Sequence, residues 1–132
     1  MREILSNKKR GFLFGNEAVV RGALESGVGY AASYPGTPAS EIGDCFAKIA
    51  KERGIYFEWS TNEKVALESA AGAAFSGVKS IVGMKHYGLN VALDTLCDLG
   101  LNLVGDKCKP FWEGIFQVDD SVCREVLQES EE

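Results

Sequence analysis

Ile55-Tyr56-Phe57-Glu58-Trp59-Ser60-Thr61-Asn62-Glu63-Lys64 is the stretch that decides how this chain is built. Its first five residues are β-branched or aromatic apart from Glu58, the composition of a strand. Ser60 then opens a helical pattern that reaches to about Gly77. The same strand-to-helix passage recurs on both sides. Upstream, Tyr30 to Tyr34 reads as a strand broken by Pro35-Gly36. A helix follows with Ile42, Phe46, Ile49 and Ala50 on one stripe, stopped by Gly54. Thr37 is expected to cap that helix, and Pro38 to take its first position, where a missing N–H costs nothing. Farther upstream, Gly11-Phe12-Leu13-Phe14 reads as a short buried strand. Asn16 reads as the cap of a helix bearing Ala18, Val19, Ala23 and Leu24, closed by Gly27. Downstream, Lys79 to Met84 reads as a strand and Gly88 to Leu99 as a helix. Such alternation specifies an α/β fold, an open and mostly parallel sheet with helices on both faces. Ligands of such sheets lie at the carboxyl ends of the strands.

Composition bounds the partners. The chain has 132 residues and a formal net charge of -5, enough for one domain and unfavourable for nucleic acid or anionic membranes. Residues 1–10 read as a lead-in whose Lys8-Lys9-Arg10 run is solvated. Residues 11–104 form the α/β domain, and residues 105–132 form a divergent tail with a short helix bearing Val122, Val126 and Leu127. No signal-like or membrane-spanning apolar run occurs, so a cytoplasmic protein without membrane or nucleic-acid partners is expected. The four cysteines form no Cys-x-x-Cys pair, which removes the usual zinc and iron–sulfur signatures from this chain. No metal site is expected. Neither a Gly-x-Gly-x-x-Gly nor a Walker-type Gly-Lys-Ser/Thr motif is present.

Three strand-end segments hold the candidate chemistry. Glu63 sits just past the third predicted strand, where apolar neighbours such as Trp59 and Val65 would raise a carboxyl pKa and suit it to proton exchange with a heterocycle. Ser60-x-x-Glu63 is equally a capping box, and on pattern alone that reading is the stronger. Tyr34-Pro35-Gly36-Thr37-Pro38 offers a hydroxyl and helix-terminal N–H groups for a substrate carboxylate, or simply an ordinary turn. Lys85-His86-Tyr87-Gly88 offers a cation and an imidazole, or an exposed loop. The small residues between Ala70 and Gly77 suit either close packing on the sheet or a subunit interface.

Taken in series, Gly15-Asn16-Glu17-Ala18, Tyr34 to Ile42, Glu58 to Ala66 and Met84 to Ala92 resemble one family. They are similar to the N-terminal pyrimidine-binding domain of the alpha subunit of indolepyruvate:ferredoxin oxidoreductases, within the thiamine-diphosphate-dependent 2-oxoacid:ferredoxin oxidoreductase superfamily. The resemblance spans about residues 11–100. It implies a thiamine-diphosphate pyrimidine-domain-like sheet. It also implies that Glu63 is the catalytic and cofactor-binding glutamate that hydrogen-bonds N1′ of the aminopyrimidine and favours its imino form. Lys85, His86 and Asn90 would flank the cofactor. Tyr34, Pro35, Gly36, Thr37 and Pro38 would lie near a 2-oxoacid such as an aryl pyruvate. Ferredoxin would accept the electrons in the full complex.

Residues 101–132 depart from the family, in which a further aliphatic strand and an acidic turn follow the fourth helix. The Gly-Asp-Gly-type motif of the diphosphate–magnesium half and the cysteine-rich module do not occur in this sequence. The chain is therefore expected to hold the aminopyrimidine half alone. Mg2+ and iron–sulfur clusters would lie on other domains or chains, and a diphosphate-binding partner would complete a homo- or hetero-oligomer. A non-catalytic module that keeps the fold without cofactor, and a small nucleotide-binding protein, are the alternatives. The short sheet leaves an edge open, which favours self-association.

Overall fold

The computed structural model describes residues 4–6 and 11–102. Three strands, β1 (Tyr30–Ser33), β2 (Tyr56–Trp59) and β3 (Ser80–Gly83), form one sheet in the order β2-β1-β3. Both pairings are parallel and in step: Ala31 faces Phe57 and Ile81, and Ser33 faces Trp59 and Gly83. The five helices among the described residues are α1 (Gly15–Glu25), α2 (Ser40–Arg53), α3 (Glu63–Phe75), α4 (Gly88–Val91) and α5 (Leu93–Asn102). The expected open parallel sheet with helices on both faces is the fold observed.

Period-two alternation along the strands sorts the core into two layers. On one face, Ala31 and the partly buried Phe57 and Ile81 pack with Val20 and Ala23 of α1 and Phe46, Ile49 and Ala50 of α2. Phe46 stacks on Phe57 at 6.3 Å between centroids. On the other face, Leu67 and Ala71 of α3 pack with Ala92, Leu96 and Leu99, and with Val82 and Met84. The Ser80 hydroxyl donates 2.9 Å to the carbonyl of Ala70, tying β3 to α3. Ile4 is fully buried in the first layer, and Arg21 donates to the carbonyls of Ile4 and Ser6. Gly54 closes α2 at φ 67°, a left-handed position that glycine takes without a Cβ penalty.

Several expectations are corrected. Residues 11–14 form no strand and join no ladder, and Phe12 and Phe14 are 87% and 74% exposed. Only Leu13 of this run packs on the core, so an apolar run without a neighbouring strand gains no pairing. Asn16 does not cap α1, because the helix begins one residue before it with Phe14 as cap. Thr37 does not cap α2, and Pro38 is not its first residue. A turn spans residues 37–39, the Thr37–Pro38 peptide is cis, and the Ser40 hydroxyl accepts from the Gly36 N–H at 2.9 Å. The single helix expected over Gly88 to Leu99 is two, divided at Ala92. The Leu101–Val104 run is met by α5 as far as Asn102. Lys8 to Arg10, the tail of 105–132 and its short helix lie outside the described residues.

Phe46 is 1% exposed at the centre of the larger layer. Phe46→Ala is expected to lower unfolding stability by about 3–5 kcal/mol, measured by urea denaturation.

Candidate functional site

Because β1 is in register with both neighbours, the three strands end at one level. Hydrogen bonds weld that edge. The Ser33 hydroxyl, buried, donates 2.8 Å to the carbonyl of Gly83, and the Ser60 N–H donates 2.9 Å to the carbonyl of Ser33. Tyr34 continues the ladder, its N–H donating 3.0 Å to the same Gly83 carbonyl. The loops that follow β1 and β3 are thereby forced together. A methyl group on Gly36 would stand 2.7 Å from Cβ of Lys85. Asn16 holds the first loop from the other side, its amide donating 2.9 Å to the carbonyl of Pro38 and 2.8 Å to the carboxylate of Glu41. The sequence had suggested a cap at Asn16. The side chain instead ties α1 to α2.

The start of α3 is where the two readings of Glu63 separate. Ser60 lies too early to cap: its N–H still extends the β-ladder, and its hydroxyl donates 3.2 Å to Glu58. Asn62 caps instead, its Oδ1 accepting from the Val65 N–H at 2.8 Å. Asn and Ser cap about equally well, so position relative to the strand end decides between them. The Ser60–Glu63 capping box does not form. Glu63, half-buried, extends from the first helical turn toward α4. A methyl on Gly88 would stand 2.5 Å from its Cγ and Oε1 and 2.8 Å from its Cδ. The adjacent cation is engaged elsewhere: Lys64 pairs with Asp94 and, at 3.9 Å, with Glu68. The hydrogen bond between Lys64 and Asp94 raises the ammonium pKa and lowers that of the carboxyl. Among the described residues, none donates a hydrogen bond to Glu63.

The remaining candidates divide. Lys85 is half-buried, with Nζ 5.2 Å from the centre of the Tyr87 ring, and the exposed His86 ring lies 4.1 Å from that ring. Asn90 is exposed on α4, two residues beyond Gly88. Tyr34 and Gly36 are half-buried, whereas Pro35, Thr37 and Pro38 are exposed. The structure thus joins the Tyr34–Pro38 loop to Lys85, and Glu63 to Gly88, along one edge of the sheet. Trp59, expected beside Glu63, turns to α2 instead: a methyl on Gly43 would stand 2.3 Å from its indole, which also meets Phe57 edge-on at 5.4 Å. Sequence reasoning passed over Gly88 as a contact, Asn62 as a cap and Asn16 as a tie. Only Asn62 carried a usable signal, being a preferred cap residue next to a helix start.

A solved 2-oxoglutarate:ferredoxin oxidoreductase from Magnetococcus marinus, described with 2-oxoglutarate, coenzyme A and succinyl-CoA bound, is similar to this chain. The likeness has a TM-score of 0.52 and 28% identity over 53% of this chain and 12% of that one. Over the matched part this chain therefore resembles the 2-oxoacid:ferredoxin oxidoreductases in both sequence and fold. Within that class the resemblance is to the indolepyruvate oxidoreductase subunit IorA. The Methanothermobacter marburgensis protein is 69% identical over 84 residues, 64% of this chain and 14% of its own length. The Pyrococcus horikoshii protein is 54% identical over 93 residues, 68% of this chain and 14% of its own. This chain thus spans about one-seventh of the length of these relatives. No family model matches it. Among the described residues no helix is long and apolar enough to cross a membrane.

Asn62→Ala is expected to remove about 0.5–2 kcal/mol of stability by uncapping α3, whereas Ser60→Ala should leave the helix content unchanged. Circular dichroism with urea unfolding distinguishes the two.

Proposed function

We propose that this chain supplies the aminopyrimidine half of a thiamine-diphosphate site in a 2-oxoacid:ferredoxin oxidoreductase of the indolepyruvate type. One observation carries the reading. The Glu63 carboxylate stands at the carboxyl edge of the sheet, half-buried, free of its own helix cap and free of Lys64. A carboxylate with open acceptor positions fits a ring nitrogen that needs a hydrogen-bonding partner. Bound there, thiamine diphosphate supplies the electron sink for breaking the bond between a 2-oxo carbon and its carboxylate.

The chain's own groups then have distinct tasks. Glu63 holds or returns a proton at N1′ of the ring. Lys85 and His86, packed on Tyr87, line the cofactor edge with Asn90. The Tyr34–Pro38 loop meets the substrate, with the exposed Thr37 hydroxyl available to its carboxylate. Asn16 and the close passage of Gly36 over Lys85 hold that loop in register with the cofactor edge. The diphosphate, Mg2+ and iron–sulfur clusters belong to another domain or chain, with ferredoxin as the electron acceptor. The relatives' names point to indolepyruvate, and an aryl pyruvate of that kind is the proposed substrate.

A chimera tests this directly. Residues 11–100 of this chain replace the matching segment of the Methanothermobacter marburgensis subunit. The chimera is expected to bind thiamine diphosphate with Mg2+ and to oxidise indolepyruvate. Glu63→Gln should lower the rate by about a hundredfold or more without lowering the melting temperature. A chimera whose rate is untouched by Glu63→Gln would favour a non-catalytic module instead.

A further inference from the structure

Gly88 opens α4 and is buried against the Glu63 side chain. Its backbone does not require glycine. The left-handed glycines among the described residues are Gly27, Gly54 and Gly77, and Gly88 is not one of them. At such a position alanine is the better helix former. What a methyl group would strike is the far end of one side chain: Cγ, Cδ and Oε1 of Glu63, at 2.5 to 2.8 Å.

The contact is one of shape rather than bonding. The N–H groups of Gly88, Leu89 and Asn90 already donate to the carbonyls of Lys85, His86 and Tyr87, at 2.8, 3.2 and 3.2 Å. They are not spent on the carboxylate. The wall behind Gly88 is also fixed, because Leu89 and the fully buried Ala92 pack with Leu67 and Ala71 of α3. If a side chain is added at position 88, α4 cannot easily retreat, and the flexible partner moves instead.

We propose that Gly88 is a positioning residue for Glu63. Its missing side chain leaves the gap that holds the carboxylate at the sheet edge, and any larger residue drives the carboxylate out while the fold stands. The inference rests on the reading of Glu63 as the cofactor-facing group, and its test separates the two.

The full chain is labelled with ¹³C-glutamate, and the Glu63 carboxyl resonance is assigned by its loss in Glu63→Gln. In ligand-free protein, Gly88→Ala is expected to move that resonance while the melting temperature stays within a few degrees of the parent. An unmoved resonance overturns the proposal. So does an unfolded Gly88→Ala chain, because glycine would then serve the backbone rather than Glu63. Thiamine diphosphate with Mg2+ is then titrated into the chimera, which carries the rest of the relative's subunit, as the parent, both single variants and the double variant. Each single variant should bind roughly tenfold to a hundredfold more weakly, and the double variant no more weakly than Glu63→Gln alone, because Gly88 acts only through Glu63. A further loss in the double variant counts against the proposal. If the resonance moves in Gly88→Ala but binding is the same in all four proteins, Gly88 still positions Glu63 and the cofactor reading of Glu63 is what fails.

Discussion

The in-step parallel pairing of β1 with both neighbours is the constraint on which the rest of the structure depends. Ser33, Trp59 and Gly83 end at one level, so the three following loops leave the sheet side by side. Two hydrogen bonds centred on Ser33 fix that level, one from its hydroxyl and one to its carbonyl. Each contributes about 1 kcal/mol net, and a buried Ser33 hydroxyl without its partner would cost more than that. The bonds matter more for position than for stability. Slip β2 by one residue and its side chains exchange faces, carrying Trp59 away from α2 and Ser60 away from Ser33.

From that edge the placement of Glu63 follows in two steps. Ser60 is consumed by the ladder, so the cap passes to Asn62 and the first turn of α3 starts at Glu63 itself. The carboxylate is then free to extend across to α4, where Gly88 leaves room for it. Charge reinforces the arrangement. Lys64, the cation nearest in sequence, is drawn to Asp94 on α5. That pair is exposed and contributes little to stability. Its consequence is local: it draws the Lys64 ammonium away from Glu63.

Much of the fold was legible in the sequence. The alternating apolar runs gave the three strands and the parallel sheet, and the stripe of Phe46, Ile49 and Ala50 identified the face that α2 buries. Gly27 and Gly54 marked two helix ends because their φ values require glycine. The failures share a physical cause. Gly11–Phe14 has the apolar character of a strand, but pairing depends on a neighbour that sequence composition does not reveal. Thr37 and Ser60 are good cap residues, displaced by where the backbone of the loop and of the ladder happens to run. The site was legible only in outline. Strand-end positions for Tyr34, Glu63 and Lys85 followed from the topology, whereas the neighbours of Glu63 did not. Gly88 is twenty-five residues away from it, and its role consists of a side chain that is not there.

The sheet register, the Asn62 cap and the gap at Gly88 together place one carboxylate, Glu63, at the carboxyl edge of the sheet, and the proposed function gives it a ring nitrogen to meet. The most direct measurement is a crystal structure with thiamine diphosphate and Mg2+ of the chimera that carries residues 11–100 of this chain. The account predicts that N1′ of the aminopyrimidine lies within hydrogen-bond distance of the Glu63 carboxylate, with Gly88 still in contact behind it. A cofactor seated elsewhere, with Glu63 turned to solvent or bonded to the amides of its own first turn, would contradict it.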